Sequence, residues 1–385
     1  MSERTYNFLR ESTAREMANA LNAIAMAQAG AYEAIDDWAT IAMLVRSGMG
    51  PKAFPVGTKL TATHTVHGNI VFEVMAHDHH ADATGRHAHT MTLAMRDVIY
   101  NYQADNTEAL YYAAEGLAAG TYHFTLPSGY ETEYGGGKTL QFTLAQAVPA
   151  GGVVMFSWAY QAQSTAAKVS TYASRAATTA IESNVAVSEG SGGTDLGTAN
   201  GTGENMNHIQ RARYGSNNWG ESAAREWLNS AAAAGEWWTP KTLFDRPASY
   251  ASAAGFLAGF AAAFLDALGE VDNVTARNTV YEEGGTTGGS YTTRDKMFNL
   301  SMAEVGLGAT NNSVAEGTLL PYYNGATNAE RIKYDITAAT TARHWWLRSP
   351  TPSSANYVRN VNSSGALNGN VAYGGYGLAP ACIIC

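Results

Sequence analysis

From Arg10 to Val45 one stripe of positions recurs at alternating spacings of four and three: Arg10, Ala14, Met17, Leu21, Ile24, Gln28, Ala31, Ile35, Trp38, Ala42 and Val45. Nine of these eleven are apolar, which is the pattern of a coiled-coil seam. Good helix formers fill residues 4–48, Gly30 weakens the middle, and Gly48, Gly50 and Pro51 end the segment. The alternative is an amphipathic helix packed on its own domain.

Further along, the pattern turns to strands. Asn69–Met75 and Thr121–Leu126 are strand-like, and Leu140, Phe142 and Leu144 alternate along Lys138–Leu144. Gly151-Gly152 leads into the apolar run Val153–Trp158. Between these, Met91, Met95, Val98, Ile99 and Tyr102 share helical spacing over Thr90–Gln103. Residues 161–204 shift to Ala, Ser, Thr and Gly, with six glycines in 190–203, and read as a linker. Trp and turn residues dominate from Asn205 on, with helices expected at Ala223–Ser230 and Gly255–Leu268. The expected fold class is therefore multidomain α+β. It comprises a helical, coiled-coil-like oligomerisation segment (1–50), a β-rich domain (51–160), a linker (161–204) and a C-terminal α+β domain (205–385).

Charge narrows the function classes. The chain has 385 residues and a formal net charge of −9, without the basic face of a nucleic-acid binder. No stretch approaches the ~18 apolar residues of a membrane helix, so membrane insertion is not expected. Met1-Ser-Glu-Arg-Thr-Tyr lacks the apolar core of a secretory signal, which points to synthesis in the cytoplasm. Charged residues make up only 15%, against roughly 25% in an average soluble protein, so Ser, Thr, Asn, Tyr and Gly must cover much of the surface. Those residue types also build paratopes.

Candidate chemistry is sparse. His77, His79, His87 and His89, with Asp78 and Asp82 nearby, form a candidate Zn or Fe site, since His-x-His on a strand presents two imidazoles on one face. A solvated polar loop is the competing reading, and no cofactor is required. Cys382-Ile-Ile-Cys385 lacks the second pair of a zinc site and reads as a buried Cys382 beside an incidental Cys385. Nucleophile elbows, phosphate-binding loops and calcium loops are missing, so no enzyme is expected.

Residues 351–376 carry the strongest signal. Sixteen of these 26 residues are Asn, Ser, Gly or Tyr, none is Asp, Glu or Lys, and Arg359 is the one cation. Apolar anchors frame them: Trp345-Trp346-Leu347-Arg348-Ser349-Pro350 before and Ala379-Pro380-Ala381-Cys382 after. A rigid frame around adaptable polar and aromatic positions is how a binding surface is built.

Arg343–Pro350, Ala355–Asn362, Ser364–Leu367 and Gly377–Cys382 together resemble the variable region of proteins diversified by retroelements on a C-type lectin fold. Arg213–Gly220, Ala224–Asn229 and Asp295–Ser301 resemble the body of that domain, and the His-rich part resembles segments accompanying it in prophage proteins. The resemblance implies a C-type lectin-like domain over 205–385 in which error-prone copying of adenines rewrites chosen codons. By that pattern the variable, ligand-binding positions are Thr351, Ser354, Asn356, Tyr357, Asn368, Gly369, Asn370, Val371, Tyr373, Gly374, Gly375 and Tyr376. The framework positions are Trp345, Trp346, Arg348, Ala355, Val358, Arg359, Val361, Gly365, Leu367, Gly377 and Pro380. The stretch lacks the acids of a calcium-dependent sugar site.

The implied function is host-surface recognition at the tail tip of a phage or prophage. The implied partners are a variable protein or glycan receptor on a bacterial surface and virion tail proteins, and the implied assembly is a homotrimer. A retroelement-diversified bacterial adhesin or a structural tail protein is the alternative. The formylglycine-generating enzymes share the lectin-like fold but use an internal cysteine pair, unlike Cys382 and Cys385.

Overall fold

In the computed structural model, residues 37–125, 138–157, 168–198, 207–280 and 286–385 are described. The described residues open with two short helices, α1 (Trp38–Arg46) and α2 (Gly50–Ala53). Four strands follow: β1 (Lys59–His64), β2 (Gly68–His77), β3 (Met91–Met95) and β4 (Ile99–Tyr102). The next eight are β5 (Tyr111–Ala113), β6 (Gly120–Thr125), β7 (Thr139–Leu144), β8 (Gly152–Phe156), β9 (Lys168–Tyr172), β10 (Ala180–Ala186), β11 (Ser188–Glu189) and β12 (Thr194–Thr198). Helices α3 (Asn207–Tyr214), α4 (Ala223–Leu228) and α5 (Ala262–Ala267) precede β13 (Val271–Ala276), β14 (Ser290–Asp295) and β15 (Met297–Phe298). The chain closes with β16 (Lys333–Asp335), β17 (Ala338–Arg343), β18 (Trp345–Pro350), β19 (Tyr357–Val361), β20 (Leu367–Val371), β21 (Tyr376–Leu378) and β22 (Ala381–Ile384).

Residues 38–104 and 219–385 build one body. An antiparallel sheet runs β1-β2-β3-β22-β15, so β22, at Ala381–Ile384, joins a sheet begun at Lys59. A second sheet runs β20-β19-β18-β21-β4, with β4 lending its edge to β21. One hydrophobic core takes side chains from residues 38–104 and again from 219–385. Residues 110–212 form a separate core between two four-stranded sheets, β10-β9-β8-β5 and β11-β7-β6-β12. This β unit is thus an excursion from the main body. At its neck Arg211 is buried against Glu108, and Phe244 packs with Val153 and Met155.

These observations overturn the expected α+β fold class. The protein is β-rich, and its described α-helices number five, none longer than nine residues. Most of the expected coiled-coil segment lies outside the described residues. The described part, α1, buries Trp38, Ile41, Ala42, Leu44 and Val45 in the protein's own core, with Trp38 edge-on to Phe264 at 4.7 Å. The three described stripe positions, Trp38, Ala42 and Val45, therefore face the protein's own core. The sheets of the C-terminal part are not self-contained, because they take β3 and β4 from the N-terminal part.

Three local expectations also change. Thr90–Gln103 holds β3 and β4 instead of a helix, because β3 is buried on both faces and a doubly covered strand loses its alternation. Gly255–Leu268 breaks into a 3₁₀ turn at Phe256–Gly259 and the short α5, with Phe260 extended to bridge His64. Gly259 permits that approach, since a Cβ there would fall 2.1 Å from the His64 ring. Within 161–204, β9 to β12 pair into the excursion's sheets, and buried Ser170 bonds Ser157 at 2.8 Å in place of an apolar contact.

Candidate functional site

Every residue of β18, Trp345–Pro350, is buried. It pairs antiparallel with β19, with an irregularity between Trp346 and Pro350, and parallel with β21 at Trp345 and Gly377. The two indoles are fixed by hydrogen bonds: Trp345 Nε1 donates to the Arg331 carbonyl at 3.0 Å and Trp346 Nε1 to that of Tyr102 at 2.9 Å. Below them Arg348 donates to both oxygens of Glu304, and Ser349 donates to Glu316. The Arg348 guanidinium holds the Glu304 carboxyl well below the usual range despite its burial, whereas burial pushes Glu316 up.

The strands beside this frame present the polar positions. Tyr357 pairs with Val371, Arg359 with Gly369 and Asn360 with Asn368. Side chains alternate along a strand, so Tyr357, Arg359, Gly369 and Val371 share one face. Tyr357 is 42% exposed, the most open large side chain of the region. Tyr376 stacks on His344 and stands edge-on to Trp346 at 4.8 Å. Burial raises its phenol pKa, and nearby Tyr100 and Tyr357 add to the effect. Arg343 lies over the Tyr100 ring at 3.7 Å, extending this aromatic face.

Thr351, Ser354, Asn368, Gly369, Asn370, Val371, Tyr373, Gly374, Gly375 and Tyr376 are half-buried, and Asn356 is buried. Tyr376 lies on the Trp346 face of the sheet and Tyr357 on the alternate face of β19, while Asn356 lies beneath the surface, linked through its Oδ1 to Ser354. Tyr373 turns elsewhere: its N–H donates to the Tyr214 carbonyl, and it lines a cleft of about 340 Å³ with Tyr172, Arg213, Tyr214 and Arg246. Gly374 and Gly375 are close-packed, since a Cβ at 375 would fall 2.2 Å from Asn101 Oδ1. Of the framework positions, Arg359 and Leu367 are half-buried and the rest are buried.

Asn217 escaped the sequence reading. Its Nδ2 donates toward the carbonyls of Thr351, Ser354 and Tyr357, and its N–H to that of Ala355. Asn278 donates to Asn217 Oδ1 and fixes the amide. Its signal was present in Arg213–Gly220, but sequence alone did not say what it holds. Several buried polar atoms here have no hydrogen-bond partner among the described residues: Thr351 Oγ1, Asn356 Nδ2, Arg359 Nε, both Asn360 side-chain atoms and Asn370 Nδ2.

Residues 198–385 match the model of a domain family, DUF6273, described as a domain of unknown function. No curated protein and no solved structure matches the chain. The matched stretch holds β18 to β22 and Asn217, while β1 to β4 lie outside it.

The four candidate metal-binding histidines are not gathered at one point. His77 Nε2 meets the Phe54 carbonyl at 2.8 Å, His79 lies 3.3 Å from the Thr318 hydroxyl, and His89 pairs with Asp78 at 3.1 Å. His87 alone of the four stands in a candidate ligand cluster, with Asp82 and Cys385. No helix among the described residues is long and apolar enough to cross a membrane.

Proposed function

We propose that this protein is a retroelement-diversified receptor-binding protein of a phage or prophage, which recognises a protein or glycan on a bacterial host from the tail tip. It binds and does no covalent chemistry. The observation that carries this reading is the division within one sheet. Strand β18 is wholly buried and hydrogen-bonded, while β19, β20 and β21 of the same sheet bear Tyr357, Asn370 and Tyr376 at or near the surface. Such a frame lets surface residues change without loss of the fold. Tyr supplies large contact area at low entropic cost, and Asn, Ser and Gly supply adaptable bonding. Copies presented together, as in the expected homotrimer, gain avidity of ~10²–10⁴ where geometry permits.

Labelled full-length protein tested on a panel of bacterial cells and purified surface polysaccharides provides the check. The variant Tyr357→Ala/Tyr376→Ala should lose binding and keep the parent's cooperative unfolding; undiminished binding would refute the assignment. The diversification has its own test in the genome. A reverse-transcriptase gene should lie nearby with a near-copy of the codons for residues 345–382 that differs at adenines.

A further inference from the structure

We propose that Asp82, His87 and Cys385 bind a zinc ion that ties the loop between β2 and β3 to the end of β22. One ligand atom from each residue lies within 4.8 Å of the other two. Zinc bonds of ~2.0–2.3 Å place tetrahedral ligand atoms ~3.3–3.8 Å apart, so closure needs a shift of about 1 Å.

The backbone already holds the ligands in register. Segment 267–270 binds both partners: the Ala267 carbonyl accepts from the Cys385 N–H, the Gly269 N–H donates to Ile383, and the Glu270 carbonyl accepts from the Ala83 N–H. Gly269 makes room for the thiol, since a Cβ there would stand 2.5 Å from Cys385 Sγ. Asp82 is oriented by the N–H groups of Thr84, Arg86 and His87 and by the Thr84 hydroxyl. Outer donors of this kind orient the carboxylates that ligate metals.

The donor set selects the metal. One thiolate, one imidazole and one carboxylate suit Zn²⁺, whereas Ca²⁺ and Mg²⁺ take oxygen ligands. Asp82 and Cys385 are buried and His87 is half-buried, so a fourth position opens toward solvent on the histidine side. Binding replaces the S–H bond of Cys385 with an S–Zn bond and releases one proton to solvent.

Untagged full-length protein should be titrated with Zn²⁺ by calorimetry and with Co²⁺ by absorption. The expected result is one ion per chain and a thiolate-to-cobalt charge-transfer band. His87→Ala and Cys385→Ser should each weaken zinc binding by at least ~100-fold, the upper end of what loss of an outer-shell partner costs. Cys385→Ser should also abolish the cobalt band. His89→Ala, whose ring pairs with Asp78 outside the cluster, should bind as the parent does. Absence of zinc binding in the parent, unchanged affinity in both ligand variants, or an equal loss in His89→Ala would overturn the proposal.

Discussion

Arg348 and Glu304 form a two-pronged ion pair, at 2.6 and 2.8 Å, in which each side chain is 1% exposed. His80 Nε2 meets Glu304 Oε1 at 3.1 Å, and the Ser301 N–H donates to Oε2, so both oxygens are further satisfied. Arg348 also reaches the carbonyls of Asn299 and Glu316. The pair therefore links β18 to the 299–316 segment under the candidate surface. Breaking one side strands a buried charge, and Glu304→Ala should cost ~3–5 kcal/mol. Denaturant unfolding of the variant checks this.

The same pair sets an acid limit. The Glu304 carboxyl is held low in the folded protein, so its stabilising contribution is present above its ordinary value of 4.5 and fades as pH falls below it. Melts from pH 6 to pH 3 should show the parent losing stability steeply. Glu304→Gln, already destabilised, should show a shallower slope. Parallel slopes would count against the pair as the cause.

Asp245 acts in the opposite sense. Burial, with the Glu108 carboxylate adding, pushes it up to about 7, although the Lys241 N–H opposes the shift. Its folded pKa is raised, so its contribution is full below its ordinary value of 3.8 and is lost as pH rises through 7. Asp245→Asn keeps an acceptor for Lys241 and should flatten the fall of stability between pH 4 and 7. Paired melts across that window are the measurement.

Asn217 makes a fourth prediction. Asn217→Ala leaves the 351–357 loop without its shared donor, at a cost of ~1–3 kcal/mol. Hydrogen exchange should quicken at the amides of Ser354 and Tyr357 while the amides of β22 stay protected.

Some of this was legible in the sequence. Trp345–Pro350 and Ala379–Cys382 read as an apolar frame because short buried runs stand out against Asn, Ser and Gly, and both are buried. Strand β3 was not legible, because burial on both faces erases the period-two signal that separates strand from helix. The main body escaped for another reason. The β3–β22 pairing spans the whole excursion, and nothing local in Leu93 or Cys382 announces that they lie opposite each other. The cluster of Asp82, His87 and Cys385 was hidden likewise: the histidine run drew attention to its neighbours in sequence, while its third member lies 298 residues away from His87.

The central claim is that a fixed buried frame carries a replaceable surface. Its most direct test is a pooled stability measurement, by display and proteolysis, of all substitutions at Tyr357, Asn368, Asn370 and Tyr376 against those at Trp345, Trp346 and Arg348. Exposed changes ordinarily fall within about ±0.5 kcal/mol, and the half-buried positions should stay near that range. Truncation of Trp345 or Trp346 should cost ~3–5 kcal/mol. That separation is the predicted result; overlapping distributions for the two sets would contradict the account.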